Sequence, residues 1–232
     1  MKFKNKLIPA KFQKRYKRFF ADVENHGKTL ISHCANSGSM LGLLNKNNKS
    51  WVSISDNPNR KLKYTLEIIN DGKSNVGVNT HYANRIVEDA ICNKKIKEVV
   101  KYSSYQKEVK FGSNSRFDFQ LTNKNKKAFL EVKNVTLSRE KGIAEFPDAV
   151  TSRGLKHLED LEKAINQGYE SLLIYLVQRE DCNKFKIAKD IDIKYYDGFM
   201  NAHKKGVKFV CYSCKVNERE IYINKPIKIL FN

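Results

Sequence analysis

At 232 residues the chain can form one large or two small domains with real cores, and 44 Lys and Arg against 25 Asp and Glu give it a formal charge of +19. Such a field attracts polyanions, and nucleic acid is preferred over a membrane surface because no basic amphipathic helix or apolar span of about twenty residues is visible. Five scattered cysteines argue against a disulfide framework, and Leu7-Ile8-Pro9-Ala10 is too short for a signal-peptide core, so a cytoplasmic protein is expected.

The first elements in chain order are short strands. Tyr16 to Val23 and Thr29 to Cys34 flank the hairpin signal Asn25-His26-Gly27. Trp51 to Ser55, Lys63 to Ile69 and Ser74 to Val78 follow, the last two joined across Asn70-Asp71-Gly72. Five strands in about eighty residues fit an OB-like barrel, which binds nucleic acid on one face, and fit an SH3-like barrel almost as well. Residues 1–80 carry a net charge of +10 and residues 81–232 one of +9, so the charge is denser in the smaller part. There Lys14, Arg15, Lys17 and Arg18 interleave with Phe12, Tyr16 and Phe19, a mixture suited to phosphate contacts and base stacking unless the aromatics belong to the barrel core.

Near residue 80 the periodicity turns helical. After Asn79-Thr80, a plausible cap, Ala83, Ile86, Val87, Ala90 and Ile91 define a buried stripe, with Asn84 and Glu88 together beside it. Arg116 to Leu121 and Ala128 to Lys133 then read as adjacent strands, with the polar segment Thr122 to Lys127 as their loop. If Leu121 pairs with Ala128, Asp118 falls opposite Glu131, and Lys133 shares the face of Glu131. Opposed carboxylates at about 4 Å and an effective dielectric near 20 repel by on the order of 4 kcal/mol. A shared proton or a hard cation offsets that cost. Mg²⁺ or Mn²⁺ held by Asp118 and Glu131, with Glu88 within reach as a further ligand, would place Lys133 beside the attacking water or the phosphate charge in phosphodiester hydrolysis. A solvated surface hairpin is the plainer alternative.

Downstream, a helix with Leu155, Leu158, Leu161 and Ile165 on its core side ends at Gly168. Arg153, Lys156 and His157 in its first turns suit a phosphate contact. Ser171 to Gln178 is uniformly apolar enough for a central strand covered on both faces, and a last strand is expected near Lys208 to Tyr212. Cys211 and Cys214 form a lone CxxC without the second pair that a zinc site needs.

Asp118 with Glu131-Val132-Lys133 resembles the PD-(D/E)XK nuclease pattern, with Phe117 where proline precedes the aspartate. Over nearly its whole length the chain also resembles the sugar fermentation stimulation protein family. The resemblance rests on stretches including Lys14 to Phe19, Asn36 to Met40, Asn59-Arg60-Lys61-Leu62-Lys63-Tyr64, Val76 to Thr80, Glu131 to Leu137 and Phe146 to Leu158, although Ala35 and Ser37 replace an expected proline and threonine. It implies an α/β (α+β) protein: an OB-like five-stranded barrel over residues 1–80, then a PD-(D/E)XK nuclease-like domain over 81–232 with a central mixed sheet flanked by helices. DNA binding of low sequence preference is implied as well. Arg60, Lys61 and Lys63 join the basic residues expected to touch DNA. Two functions follow as expectations: a metal-dependent endo- or exodeoxyribonuclease, or a regulator of sugar (maltose) metabolism that binds DNA without cutting it. The sequence leaves homo-oligomerisation open.

Overall fold

A computed structural model describes residues 1–112, 115–124 and 126–231. The fold is α+β. The strands β1 (Ile8–Tyr16), β2 (Phe20–Asn25), β3 (Lys28–His33), β4 (Lys49–Ile54) and β5 (Tyr64–Asn70) lie in the order β3-β2-β1-β4-β5. A parallel pairing of β3 with β5 closes them into a barrel. Phe12, Val23, Val52, Leu66 and Ile69 fill its core. A short β6 (Asn75–Gly77) extends the sheet beyond β5.

The sequence reading merged part of β1 with β2. The chain reverses through Lys17, Arg18 and Phe19, where Lys17 and Arg18 have φ of 45° and 61°. Glycine or asparagine ordinarily marks such left-handed positions, so two basic residues gave no turn signal. The turn of His26 and Gly27, at φ of 49° and 75°, carries the expected chemistry.

The second part begins with α1 (Ala83–Cys92), β7 (Ser104–Phe111), β8 (Ser115–Asn123), β9 (Lys126–Val135), β10 (Ile143–Phe146) and α2 (Ser152–Asn166). It continues through β11 (Glu170–Val177), β12 (Lys184–Ile187), α3 (Ile193–Lys204), β13 (Lys208–Val216), β14 (Ile221–Pro226) and β15 (Lys228–Leu230). Its main sheet has the order β14-β13-β11-β9-β8-β7, in which β9, β11 and β13 are parallel. Helix α1 packs on one face, where Ile86 and Val87 meet Leu130, Ile174 and Cys214; α2 and α3 cover the other, around Leu158, Tyr175, Phe199 and Cys211. β11 is therefore buried on both faces, as its apolar run requires. Cys211 and Cys214 enter opposite cores, which separates them as metal ligands. Among the described residues no helix is long and apolar enough to cross a membrane.

The two parts share a seam. Phe3 N–H donates to Arg219 carbonyl oxygen and Lys2 bridges to Glu220, so the first residues lie on the second sheet although they precede the barrel. Gly77 N–H donates to Gln178 carbonyl oxygen at 2.9 Å. A Cβ at Gly77 would collide with Gln178 Oε1 and approach Ile221. Gly77→Ala is accordingly expected to cost about 1–3 kcal/mol by overpacking. Chemical denaturation checks this, and an unchanged midpoint would show that the seam yields freely.

Candidate active site

The pairs from Asn123 with Lys126 to Phe119 with Leu130 follow the register expected from the sequence, and the ladder stops one step before Asp118 and Glu131. The anticipated loop tightens to the tip between β8 and β9; Asn125 within it lies outside the described residues. On the other side β7 pairs with β8 on both sides of Asp118 but skips it, opposite Glu108, whose φ is 54°. Asp118 thus lacks a ladder partner within its strand. Its carboxylate takes up the gap: Oδ2 accepts from Val132 N–H at 2.8 Å and Oδ1 from Asn84 Nδ2 at 2.7 Å.

Glu131 is 2% exposed, and two side chains converge on its carboxylate. Lys133 Nζ donates to Glu131 Oε1 at 2.7 Å, and His157 Nδ1, brought by α2, makes a short contact with the same oxygen. Lys133 Nζ lies 3.1 Å from His157 Nδ1. Glu131 Oε2 is buried without a hydrogen-bond partner among the described residues. Leaving a charged acceptor unsatisfied is costly, and an incoming cation relieves the cost. The carboxylates open on a cleft of about 410 Å³ lined also by Glu108, Arg116, Val132, Lys133, Arg153 and His157.

The two carboxyls differ electrostatically. Burial and the nearby Glu131 charge push Asp118 up to about 6, against the Val132 N–H and Asn84. Burial alone would raise Glu131 too, but Lys133 and His157 hold it below the ordinary glutamate value. Glu131 stays ionised while Asp118 takes up a proton more readily, so the repulsion anticipated from the register is present in the fold.

Asp118, Glu131, Lys133, His157 and Arg153 therefore meet around one cleft, and Lys156 is exposed on α2 nearby. Glu88 does not join them. Its carboxylate accepts from Tyr105 hydroxyl at 3.0 Å and pairs with Lys107 at 2.9 Å, because one turn beyond Asn84 the helix overlies β7. Asn84 reaches Asp118 instead. Arg116, at the cleft rim, was not singled out from sequence; its place in the strand two residues before Asp118 was the available signal.

The basic barrel residues divide into different settings. Lys17 and Arg18 are exposed at the β1–β2 turn, Lys61 and Lys63 are exposed before β5, and Lys14 pairs with Asp22 at 3.5 Å. The Arg15 guanidinium instead clamps a loop by donating to the carbonyl oxygens of Arg18, Asn36 and Gly38. Arg60 lines a separate cleft on the barrel.

Comparison with known proteins adds two family matches. Residues 81–220 match the family model described as the sugar fermentation stimulation protein RE domain, and residues 14–78 match the SfsA N-terminal OB domain. A sugar fermentation stimulation protein homolog of Pelagibacter ubique is 53% identical over 230 residues, covering 99% of both chains. Its counterpart in Agrobacterium fabrum is 42% identical, over 99% of this chain and 97% of the relative. The solved structure of Pyrococcus furiosus SfsA in complex with Ca²⁺ superposes with a TM-score of 0.89 at 21% identity, covering 99% of this chain and 98% of that one. At that identity it establishes likeness of fold.

Proposed function

The chain belongs to the sugar fermentation stimulation protein family, and from that footing we propose a DNA-binding protein of low sequence preference with a metal-dependent phosphodiesterase site of the PD-(D/E)XK kind. The observation that carries this reading is the pair of carboxyls, buried Glu131 with an unpartnered oxygen among the described residues beside half-buried Asp118 with a raised pKa, both open to a cleft that also presents Lys133, Arg116 and Arg153. This all-oxygen donor set fits a hard divalent cation that keeps waters of its own, such as Mg²⁺ or Mn²⁺. The Ca²⁺ named for the Pyrococcus relative is consistent with that class of ion.

Asp118 and Glu131 would hold the cation, which when bound supplies charge neutralisation and Lewis acidity at the phosphate. Asn84 and the Val132 N–H fix the Asp118 carboxylate, so little reorganisation is needed on binding. Lys133, tethered to Glu131, orients the attacking water and offsets charge on the phosphate. His157 holds the same Glu131 oxygen beside Lys133. Arg116 and Arg153 at the rim contact the DNA backbone. The net charge draws DNA to the protein, and binding should weaken steeply with salt as neutralised phosphates release counterions. A cytoplasmic setting, with all five cysteines free, completes the proposal.

A second reading, a DNA-binding regulator of sugar metabolism that does not cut, is favoured by one observation: Glu88 is committed to Lys107 and Tyr105, and among the described residues no group of three His, Cys, Asp or Glu is arranged to hold a metal. Purified protein incubated with plasmid, linear and branched DNA plus Mg²⁺ or Mn²⁺ separates the readings. Cutting that Asp118→Ala and Lys133→Ala both lose supports the enzyme. Intact binding without cutting under any condition supports the regulator.

A further inference from the structure

A second concave site lies where the barrel meets α1, and its chemistry bears on which form of DNA is held, an inference that rests on the DNA-binding reading above. The cleft measures about 370 Å³, and Arg60, Arg85, His33 and His81 line it with Tyr82 and the buried Glu67. Its size falls within the range of small-ligand sites.

Glu67 does not pair with these cations. Its carboxylate, 1% exposed, accepts from Ser53 Oγ at 2.5 Å, Asn79 Nδ2 at 2.8 Å and Tyr82 hydroxyl at 3.4 Å, all neutral donors. Burial raises its pKa despite those bonds. Among the described residues neither Arg60 nor Arg85 forms an ion pair, and the Arg85 guanidinium lies over the Tyr82 ring at 5.4 Å. Burial first, and then the nearby charges of Arg60 and His81, hold His33 below its ordinary pKa. The cleft therefore gathers two arginines that are not bonded to a carboxylate, although Glu67 lies within reach of the Arg60 charge and Asp56, paired with Lys4, also lines it.

His33 also belongs to a row of rings. At the end of β3 it pairs with Phe20, and Phe20 pairs with Tyr16, so the three cross adjacent strands. Neighbouring Ala21 and Val23 point into the core, which leaves the row on the outer face. Tyr16 and Phe20 are stacked with centroids 5.5 Å apart, and Phe19, 42% exposed, has its ring 6.3 Å from His33. Lys14 Nζ sits 5.4 Å from the Tyr16 ring centre. Aromatic rings thus lead into the arginine cleft.

We propose that the outer face of β1 to β3 holds single-stranded DNA, with bases stacked on Tyr16, Phe19 and Phe20 and a backbone phosphate seated between Arg60 and Arg85. Base faces are buried within a duplex and free in a single strand, so rings of this kind discriminate strand form. Phosphate attraction alone is indifferent to it.

Fluorescence anisotropy of the full chain in EDTA, with a labelled thymidylate oligonucleotide and a duplex of the same length, tests the assignment. The single strand should bind more tightly. Replacing Tyr16 and Phe19 together by leucine, which keeps apolar bulk without a stacking face, should weaken single-strand binding roughly five- to a hundredfold and leave duplex binding unchanged. Arg60→Gln with Arg85→Gln should weaken single-strand binding and reduce its salt slope by about 0.7, the share of one neutralised phosphate on a single strand. Circular dichroism confirms that the variants remain folded. Equal or tighter duplex binding, or variants that leave the single strand unaffected, overturns this inference while the DNA-binding reading stands. Failure to bind either DNA overturns that reading itself.

Discussion

Asp118→Asn is expected to abolish cleavage and, at the same time, to raise the thermal midpoint of the metal-free protein at about pH 8. The sign follows from the raised pKa. With a folded value of about 6 against an ordinary 3.8, the native state keeps a proton that the unfolded chain has released over the interval between them. The contribution of this group is most favourable below the unfolded value and is lost as pH rises through the folded one. A separation of about two units corresponds to about 3 kcal/mol. Asparagine removes the half-buried charge and its repulsion of Glu131, so the variant's advantage should grow from about pH 4 to pH 7 and then level off, by roughly 2–4 °C per kcal/mol. Added Mg²⁺ or Mn²⁺ should reverse the order, because a ligand held by the native state alone stabilises the parent and finds one carboxylate fewer in the variant. Cleavage should fall by at least roughly a hundredfold, the usual cost of removing a preorganised electrostatic group. Differential scanning fluorimetry across pH, with and without the cation, provides the check. A variant less stable than the parent at every pH would contradict the assignment of strain to this pair.

The second large effect lies at the seam. Arg179, 1% exposed, donates to Asp181 through Nε at 2.7 Å, to Asp71 at 2.7 Å and to the Thr136 carbonyl oxygen at 3.0 Å. Asp71 belongs to the turn between β5 and β6, so one guanidinium ties the barrel to the ends of β9 and β11. Arg179→Met strands two acids near a buried position and should cost about 3–5 kcal/mol. The midpoint should drop by roughly 6–20 °C. Combining Arg179→Met with Asp71→Asn should recover part of the loss, because the single substitution leaves a charge without its partner. Thermal unfolding of the four proteins in this cycle measures the coupling, and strictly additive losses would remove the barrel-to-sheet tie from the account.

The hairpin register was legible in the sequence because alternation over Arg116 to Leu121 and the short run Ala128 to Lys133 leave few ways to pair. The central strand β11 was equally legible, since eight residues with no polar alternation demand cover on both faces. Other features carried no local signal. Helix α3 places Tyr195, Phe199 and Ala202 on a buried stripe, but Gly198 interrupts its helix-forming pattern. The structure supplies the reason for that glycine: a Cβ there would meet Leu155 of α2. The choice between Asn84 and Glu88 depends on how α1 crosses the sheet, and one helical turn separates a reach to Asp118 from a reach to Tyr105 and Lys107 of β7. Spacing alone puts both on one face.

Glu108 has a consequence beyond the cleft. It kinks β7 with its left-handed backbone, and Lys107 and Lys110 flank it along the outermost strand of the main sheet. A neighbouring molecule seeking to add its own strand there would face an interrupted rail of amides and carbonyls and a fringe of ammonium groups. The left-handed residue opposite Asp118 would thus also disfavour strand addition at this sheet margin.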